Sequence, residues 1–221
     1  MKKYIKILVD FGMTVLLLLL MAYERVGAAA HEWLGIGLFL LVILHHVLNR
    51  KWSGNLLKGR YRPMRIAQTV LVALVLCAML GSMASGIVLS RHALAFLPVR
   101  GGASWARTMH MLCGYWGFVL MGLHLGLHWG MIVGMVSRHI KTSPLLARVS
   151  GIAGIAAAVY GTYALFKRGL PDYLFLRNHF AFFDFSEPLV LLLLDYLAIM
   201  GAFVWVGHYL VILLNRLKGQ I

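Results

Sequence analysis

The sequence predicts an all-α integral membrane protein, a bundle of about six transmembrane helices. Three observations carry that prediction. The 221 residues are 61% hydrophobic and only 13% charged. The apolar residues gather in runs close to the roughly 20 residues that an α-helix needs to cross a bilayer, longer than a water-soluble domain of this size holds. The charged residues punctuate these runs instead of alternating with apolar ones along them.

The first run, Lys6 to Gly27, follows two lysines and carries Asp10 in its early turns. The second, His31 to Asn49, ends at a basic segment that leads into the third, Ile66 to Ser90. Thr108 to Val136 is the fourth, Val149 to Phe166 a Gly- and Ala-rich fifth, and Pro188 to Leu214 the sixth. The basic start, apolar core and small residues Ala28 to Ala30 also fit a secretory signal, whose cleavage would leave His31 at the N-terminus. The apolar stretch exceeds the usual 7–15-residue core of such signals and contains an aspartate, so a retained helix is expected. The chain reads as one membrane domain, with four spans in residues 1–136 and a further two-helix segment in 137–221.

The formal charge of +14 invites a nucleic-acid reading, but its placement points to membrane lipid. With six spans, the N-terminus, second loop, fourth loop and C-terminus share one side, and 14 of the 21 Lys and Arg residues lie there. The other side carries Arg25, Arg91, Arg100, Arg107, Lys167, Arg168 and Arg177. The positive-inside rule then places both termini in the cytoplasm of a prokaryotic inner membrane. Glu24, Glu32, Asp172, Asp184 and Glu187 all fall on the opposite side.

Two histidine pairs repeat one spacing. His31 and His45 are fourteen residues apart in the second run, and His110 and His124 are fourteen apart in the fourth. Fourteen residues are just under four helical turns, so both members of a pair face nearly the same way, about 21 Å apart along the axis. The third span makes the second and fourth parallel, so the two pairs meet at matched depths. Four imidazoles so placed predict two bis-histidine b-type haems in a four-helix core, suited to electron transfer because both axial positions are filled. Ionisable residues inside a membrane are costly and usually functional.

His46 and His128 are the alternative ligands, and matched depth favours His45 with His124. His128 otherwise serves a haem propionate, a polar group or a quinone pocket. Gly35 and Gly114 each follow a ligand by four residues, where a bulky side chain would obstruct a porphyrin; Gly117, Gly122 and Gly126 continue the pattern, with close helix packing as their alternative role. Arg107 lies one turn before His110, placed for a propionate or as an interfacial anchor. His92 is read as a loop histidine, a propionate partner or a relay. No role is assigned to His179 or His208. The segment Arg168 to Glu187 is rich in aromatic residues, namely Tyr173, Phe175, Phe180, Phe182, Phe183 and Phe185, which fits an interfacial belt or a docking surface.

Other chemistries fit less well. No CxxCH motif offers covalent haem attachment, and Cys77 and Cys113 stand alone in different spans as packing residues. Neither a Walker A loop nor a dinucleotide fingerprint is present. A haem-free anchor or a metal transporter is the competing class, with Asp10 and Asp195 as its acidic candidates, but it has no need of two identical histidine spacings.

The stretches HEWLGIGLFLLVILHHVLN (His31 to Asn49), SGIVLSRHALAFLP (Ser85 to Pro98) and ARTMHMLCGYWGFVLMGLHLGLHW (Ala106 to Trp129) resemble the flavinylation-associated cytochrome family of prokaryotic membrane proteins. More broadly, the histidine pairs are similar to those of cytochrome b and of the b-type subunits of formate dehydrogenases and hydrogenases. The likeness covers the first four spans, including Asp10. It implies a dihaem electron conduit ligated by His31, His45, His110 and His124, linking a quinone pool or cytoplasmic donor to an extracytoplasmic protein that carries covalently bound FMN. This chain has no flavin domain of its own, so the FMN-bearing partner is a separate polypeptide.

The charge asymmetry predicts opposite sidedness for reporter fusions at the C-terminus and at Gly101, with the C-terminal fusion cytoplasmic. Equal sidedness would refute the six-span topology.

Overall fold

The computed structural model describes residues 2–99, 101–138, 143–178 and 186–217. Among these the chain forms nine helices and no strand: α1 (Lys2–Leu20), α2 (Tyr23–Val26), α3 (Ala28–Leu48), α4 (Arg50–Ser53), α5 (Pro63–Leu89), α6 (Ala103–Ser137), α7 (Pro144–Lys167), α8 (Leu170–Leu174) and α9 (Leu189–Leu217). Five of them, α3, α5, α6, α7 and α9, are long and apolar enough to cross a membrane. Large apolar side chains such as Leu40, Val70, Ile152 and Leu213 face outward, as they do in a bundle embedded in lipid. The expected first span is broken in two: α1 stops at Leu20, and the single turn α2 follows before Gly27, with φ of +82°, turns the chain into α3. The 19 residues of α1 carry Lys2, Lys3, Lys6 and Asp10, too many charges for α1 to count with the five on composition.

Helix ends follow local chemistry. Pro63 and Pro144 occupy first-turn positions, where a missing N–H costs nothing. Ser143 caps α7 by accepting a hydrogen bond from the Leu146 N–H at 3.1 Å. These starts extend α5, α6 and α7 several residues beyond the apolar runs seen in sequence.

The helices pack in a definite order. α1 lies along α3, with Gly12 against Leu41, Leu16 against Gly37 and Leu20 near Gly35, while Val9, Met13 and Leu17, spaced by four on one face of α1, are buried in the core. α6 packs on α5 and on α9, and α9 packs on α7. The last two long helices therefore share the central core, where Phe118 and Val119 of α6 meet Tyr196, Ile199 and Met200 of α9. Glycines set the closeness. A Cβ on Gly126 would collide with the Val204 carbonyl, one on Gly207 with the Leu123 carbonyl, and one on Gly161 with the Ala198 carbonyl. Small residues that let backbones touch are the usual means of helix association in lipid.

One buried ionic network ties α7 to α9. Asp195 is 1% exposed; its carboxylate accepts from the Tyr160 hydroxyl at 2.6 Å, from Lys167 Nζ at 2.9 Å and from Arg168 Nε at 2.7 Å. Arg168 also donates both terminal nitrogens to Glu187, at 2.6 and 2.7 Å. Bidentate geometry with every oxygen satisfied is what makes a buried pair tolerable.

Arg168 holds the Glu187 carboxyl below the usual carboxylate range. A lowered folded value means that the stabilisation is complete above the unfolded value of about 4.3 and is lost as pH falls through the folded one. Melting in detergent from pH 7 to pH 3 is expected to show a steeper acid loss for the wild type than for Glu187→Gln. Parallel curves would exclude the pair as a contributor.

Candidate functional site

α3 packs on α1 and lightly on α5, and no extended backbone contact joins it to α6. Across that separation the imidazoles of His31 and His110 face each other with ring centres 5.9 Å apart and planes inclined by 69°. A metal held between two imidazoles at about 2 Å from each nitrogen separates the ring centres by about 6 Å. This spacing therefore fits a shared iron. His110 Nδ1 lies 3.0 Å from the Ser82 carbonyl and 3.2 Å from Ser85 Oγ. Donating Nδ1–H to that carbonyl fixes the tautomer and leaves Nε2 as a free ligand, the arrangement that orients metal-bound histidines. His31 packs edge-on against Tyr23, with ring centres 4.9 Å apart.

At the other end of the same helices, His45 and His124 are not in ring contact. His45 Nδ1 bonds the Asp10 carboxylate at 2.7 Å, and its Nε2 faces the Asn49 amide at 3.4 Å. His124 stacks edge-on with His128, centres 4.9 Å apart, and lies within electrostatic reach of His45, His46 and Asp10. His46 donates Nδ1–H to the Val42 carbonyl at 2.9 Å, so its Nε2 is free as well.

Two imidazole nitrogens in the site, His31 Nδ1 and His124 Nδ1, are buried without a formed hydrogen bond, although the Leu20 backbone is within electrostatic reach of His31. Buried polar atoms are normally satisfied, and these two nitrogens, with the Thr69 hydroxyl, are the exceptions among the described residues. Gly114 opens onto empty space, and a Cβ on Gly35 would touch only Leu20 Cδ2 at 4.0 Å. The pairing, the orphaned nitrogens and the open glycine face fit haem. No group of three or more His, Cys, Asp or Glu side chains is arranged for a bare metal ion among the described residues.

Several expectations are refined. Gly117, Gly122 and Gly126 do not line the histidine face; Gly117 meets Ala78 of α5, and the other two meet α9. Arg107 is exposed and makes no hydrogen bond or ion pair among the described residues, which leaves it available to an anionic group. Cys77 and Cys113 are free thiols, and Cys113 packs where Gly81 leaves room for it. Asp195 is fully engaged with Tyr160, Lys167 and Arg168, which removes it as a transporter ligand. The aromatic segment divides: Tyr173 stacks on Tyr115 inside the bundle at 4.6 Å, whereas Phe175 is exposed. Phe180, Phe182, Phe183, Phe185, His179, Asp184 and Arg100 lie outside the described residues.

Nothing in the residue pattern hints at what Glu32 does. This residue next to His31 belongs to α3, and its carboxylate accepts from Ser90 Oγ at 2.7 Å and from the backbone N–H groups of Arg91, His92 and Ala93 at 2.9, 3.0 and 2.8 Å. It fastens the His31 end of α3 to the turn after α5, while α5 also holds His110 through Ser82. His92 enters through its backbone, and its side chain is exposed. At the opposite end, a groove of about 600 Å³ lies between α4 and the start of α5, lined by Lys51, Trp52, Lys58, Arg65, Gln68 and Thr69.

Comparison of the chain with protein families, curated proteins and solved structures found no match.

Hydrogen bonds to a charged acceptor contribute about 1.5–3 kcal/mol. Glu32→Ala is therefore expected to lower the unfolding midpoint in detergent by a loss of at least that size, while His92→Ala, which keeps the backbone donor, leaves it unchanged. Equal effects of the two substitutions would show that the clasp does not act through the Glu32 carboxylate.

Proposed function

We propose that this chain is a transmembrane electron conduit that holds two b-type haems, one between His31 and His110 near the outer face and one between His45 and His124 nearer the cytoplasm. The observation that carries the reading is the 5.9 Å approach of His31 and His110 across two helices whose backbones stay apart. The equal spacing of fourteen residues on both helices supports a second site one stack deeper. In this reading α1 is the sixth span, held in the bundle by its apolar stripe, and both termini are cytoplasmic.

Bound haem supplies a one-electron ferric/ferrous couple. The chain's residues do the rest. His31, His45, His110 and His124 each offer one nitrogen, Ser82 fixes the ring of His110, Gly35 and Gly114 leave room on the ligand face, and Arg107 answers a propionate at the outer edge. Two imidazoles would hold each haem iron, which would suit the sites to electron transfer rather than oxygen chemistry. On the cytoplasmic side the donor is the quinone pool or a cytoplasmic reductant. On the outer side the acceptor is a separate FMN-bearing protein, a choice that rests on the family resemblance. Arg107 and Arg177, both exposed, favour an acidic docking face there, an attraction that salt weakens.

Pyridine haemochrome analysis of the purified protein is expected to approach two haems b per chain. His31→Ala and His45→Ala should each lose one, and His46→Ala should retain both. A folded but colourless protein refutes the reading in favour of a haem-free anchor, and loss of a haem from His46→Ala with none from His45→Ala transfers the inner ligand to His46.

A further inference from the structure

The two ends of the histidine ladder are fastened differently. His110 Nδ1 rests on the neutral Ser82 carbonyl, and the Leu20 backbone is what lies within reach of His31. His45 Nδ1 instead meets a full carboxylate, Asp10, at 2.7 Å, delivered from a separate helix, α1. Placing a carboxylate in an apolar helix is costly. The apolar packing of α1 on α3 does not require it, because Gly12 against Leu41, Leu16 against Gly37 and Leu20 near Gly35 already supply the contact. A carboxylate that accepts the Nδ1–H of a ligating histidine makes the imidazole a stronger donor and stabilises the more positive ferric state.

We infer that Asp10 is a positioning and tuning residue for His45, and that it makes the haem at the cytoplasmic end the lower-potential member of the pair. Electrons would then run downhill from the His45 end to the His31 end, one lost at the first for each gained at the second. A quinol would give up two in succession and release its two protons to the cytoplasmic side, and an outer flavin would take up two with protons from the outer side. Two nearby charges bear on the balance. Lys6, one turn before Asp10, donates Nζ to Asn49 Oδ1 at 2.8 Å, so its charge lies beside the site but is not bonded to the ligand ring. Glu32 lies beside His31, but its oxygens are engaged by Ser90 and three backbone donors, none of them a ligand. Of the charged groups, only Asp10 touches an expected iron ligand directly; the neutral Asn49 amide lies 3.4 Å from His45 Nε2.

The inference rests on the two-haem reading, and a redox titration of the purified cytochrome separates their failures. The wild type is expected to show two midpoints, and His45→Ala to keep only the higher. Asp10→Asn should raise the lower midpoint and leave the higher in place, with haem content and low-spin spectrum unchanged. Asp10→Glu, which keeps the charge, should hold the lower midpoint near its wild-type value. A preparation without haem overturns the two-haem reading and this inference with it. Two haems whose midpoints do not respond to Asp10→Asn, or both shift equally, overturn the inference alone. Loss of one haem from Asp10→Asn also overturns it, assigning Asp10 to ligand retention rather than to potential.

Discussion

Everything about the site depends on holding α3 and α6 parallel and apart while their histidines point at each other. Two apolar helices left to themselves in lipid close up until side chains interlock, and that contact would leave no room between His31 and His110. The fold prevents closure by giving each helix other partners. α6 is seated between α5 and α9, where Gly81 makes space for Cys113 and Gly122 and Gly126 press against α9. α3 is seated on α1, where Gly12 meets Leu41 and Leu16 meets Gly37. The separation thus comes from what lies behind each helix.

The polar groups inside the bundle divide the work of maintaining that arrangement. Glu32 joins α3 to the turn after α5, and Ser82 of α5 orients His110, so one helix references both imidazoles of that pair. Asp195, Lys167, Arg168 and Glu187 lock α7 to α9, which backs α6. Asp10 reaches across from α1 to His45. These charged groups have partners with short, well-formed bonds, whereas His31 Nδ1, Thr69 Oγ1 and His124 Nδ1 are buried without one among the described residues.

The helical membrane class was legible because composition and run length are properties of the chain alone: some twenty apolar residues in succession can satisfy their backbone in lipid only as helix. The fourteen-residue repeat was legible for the same reason, since helical geometry converts a sequence interval into an angle and a rise. Element ends were less so. The break after Leu20 and the early starts of α5, α6 and α7 depend on Gly27, Pro63, Pro144 and the Ser143 cap acting within a folded context.

What the sequence determined by itself was periodicity: which residues share a face, at what depth, and how charge is divided between loops. What only the tertiary structure decided was partnership. Whether a glycine faces open space or a neighbouring helix, as Gly114 and Gly126 divide, depends on which helix lies opposite. Glu32 read as a loop acid until the turn after α5 brought four donors to it, and Asp195 as a possible ligand until Lys167, Arg168 and Tyr160 closed around it. The contact between Asp10 and His45 spans 35 residues and two helices. Such pairings arise from how helices are laid side by side, and a spacing rule, which works along one helix, carries no information about its neighbour.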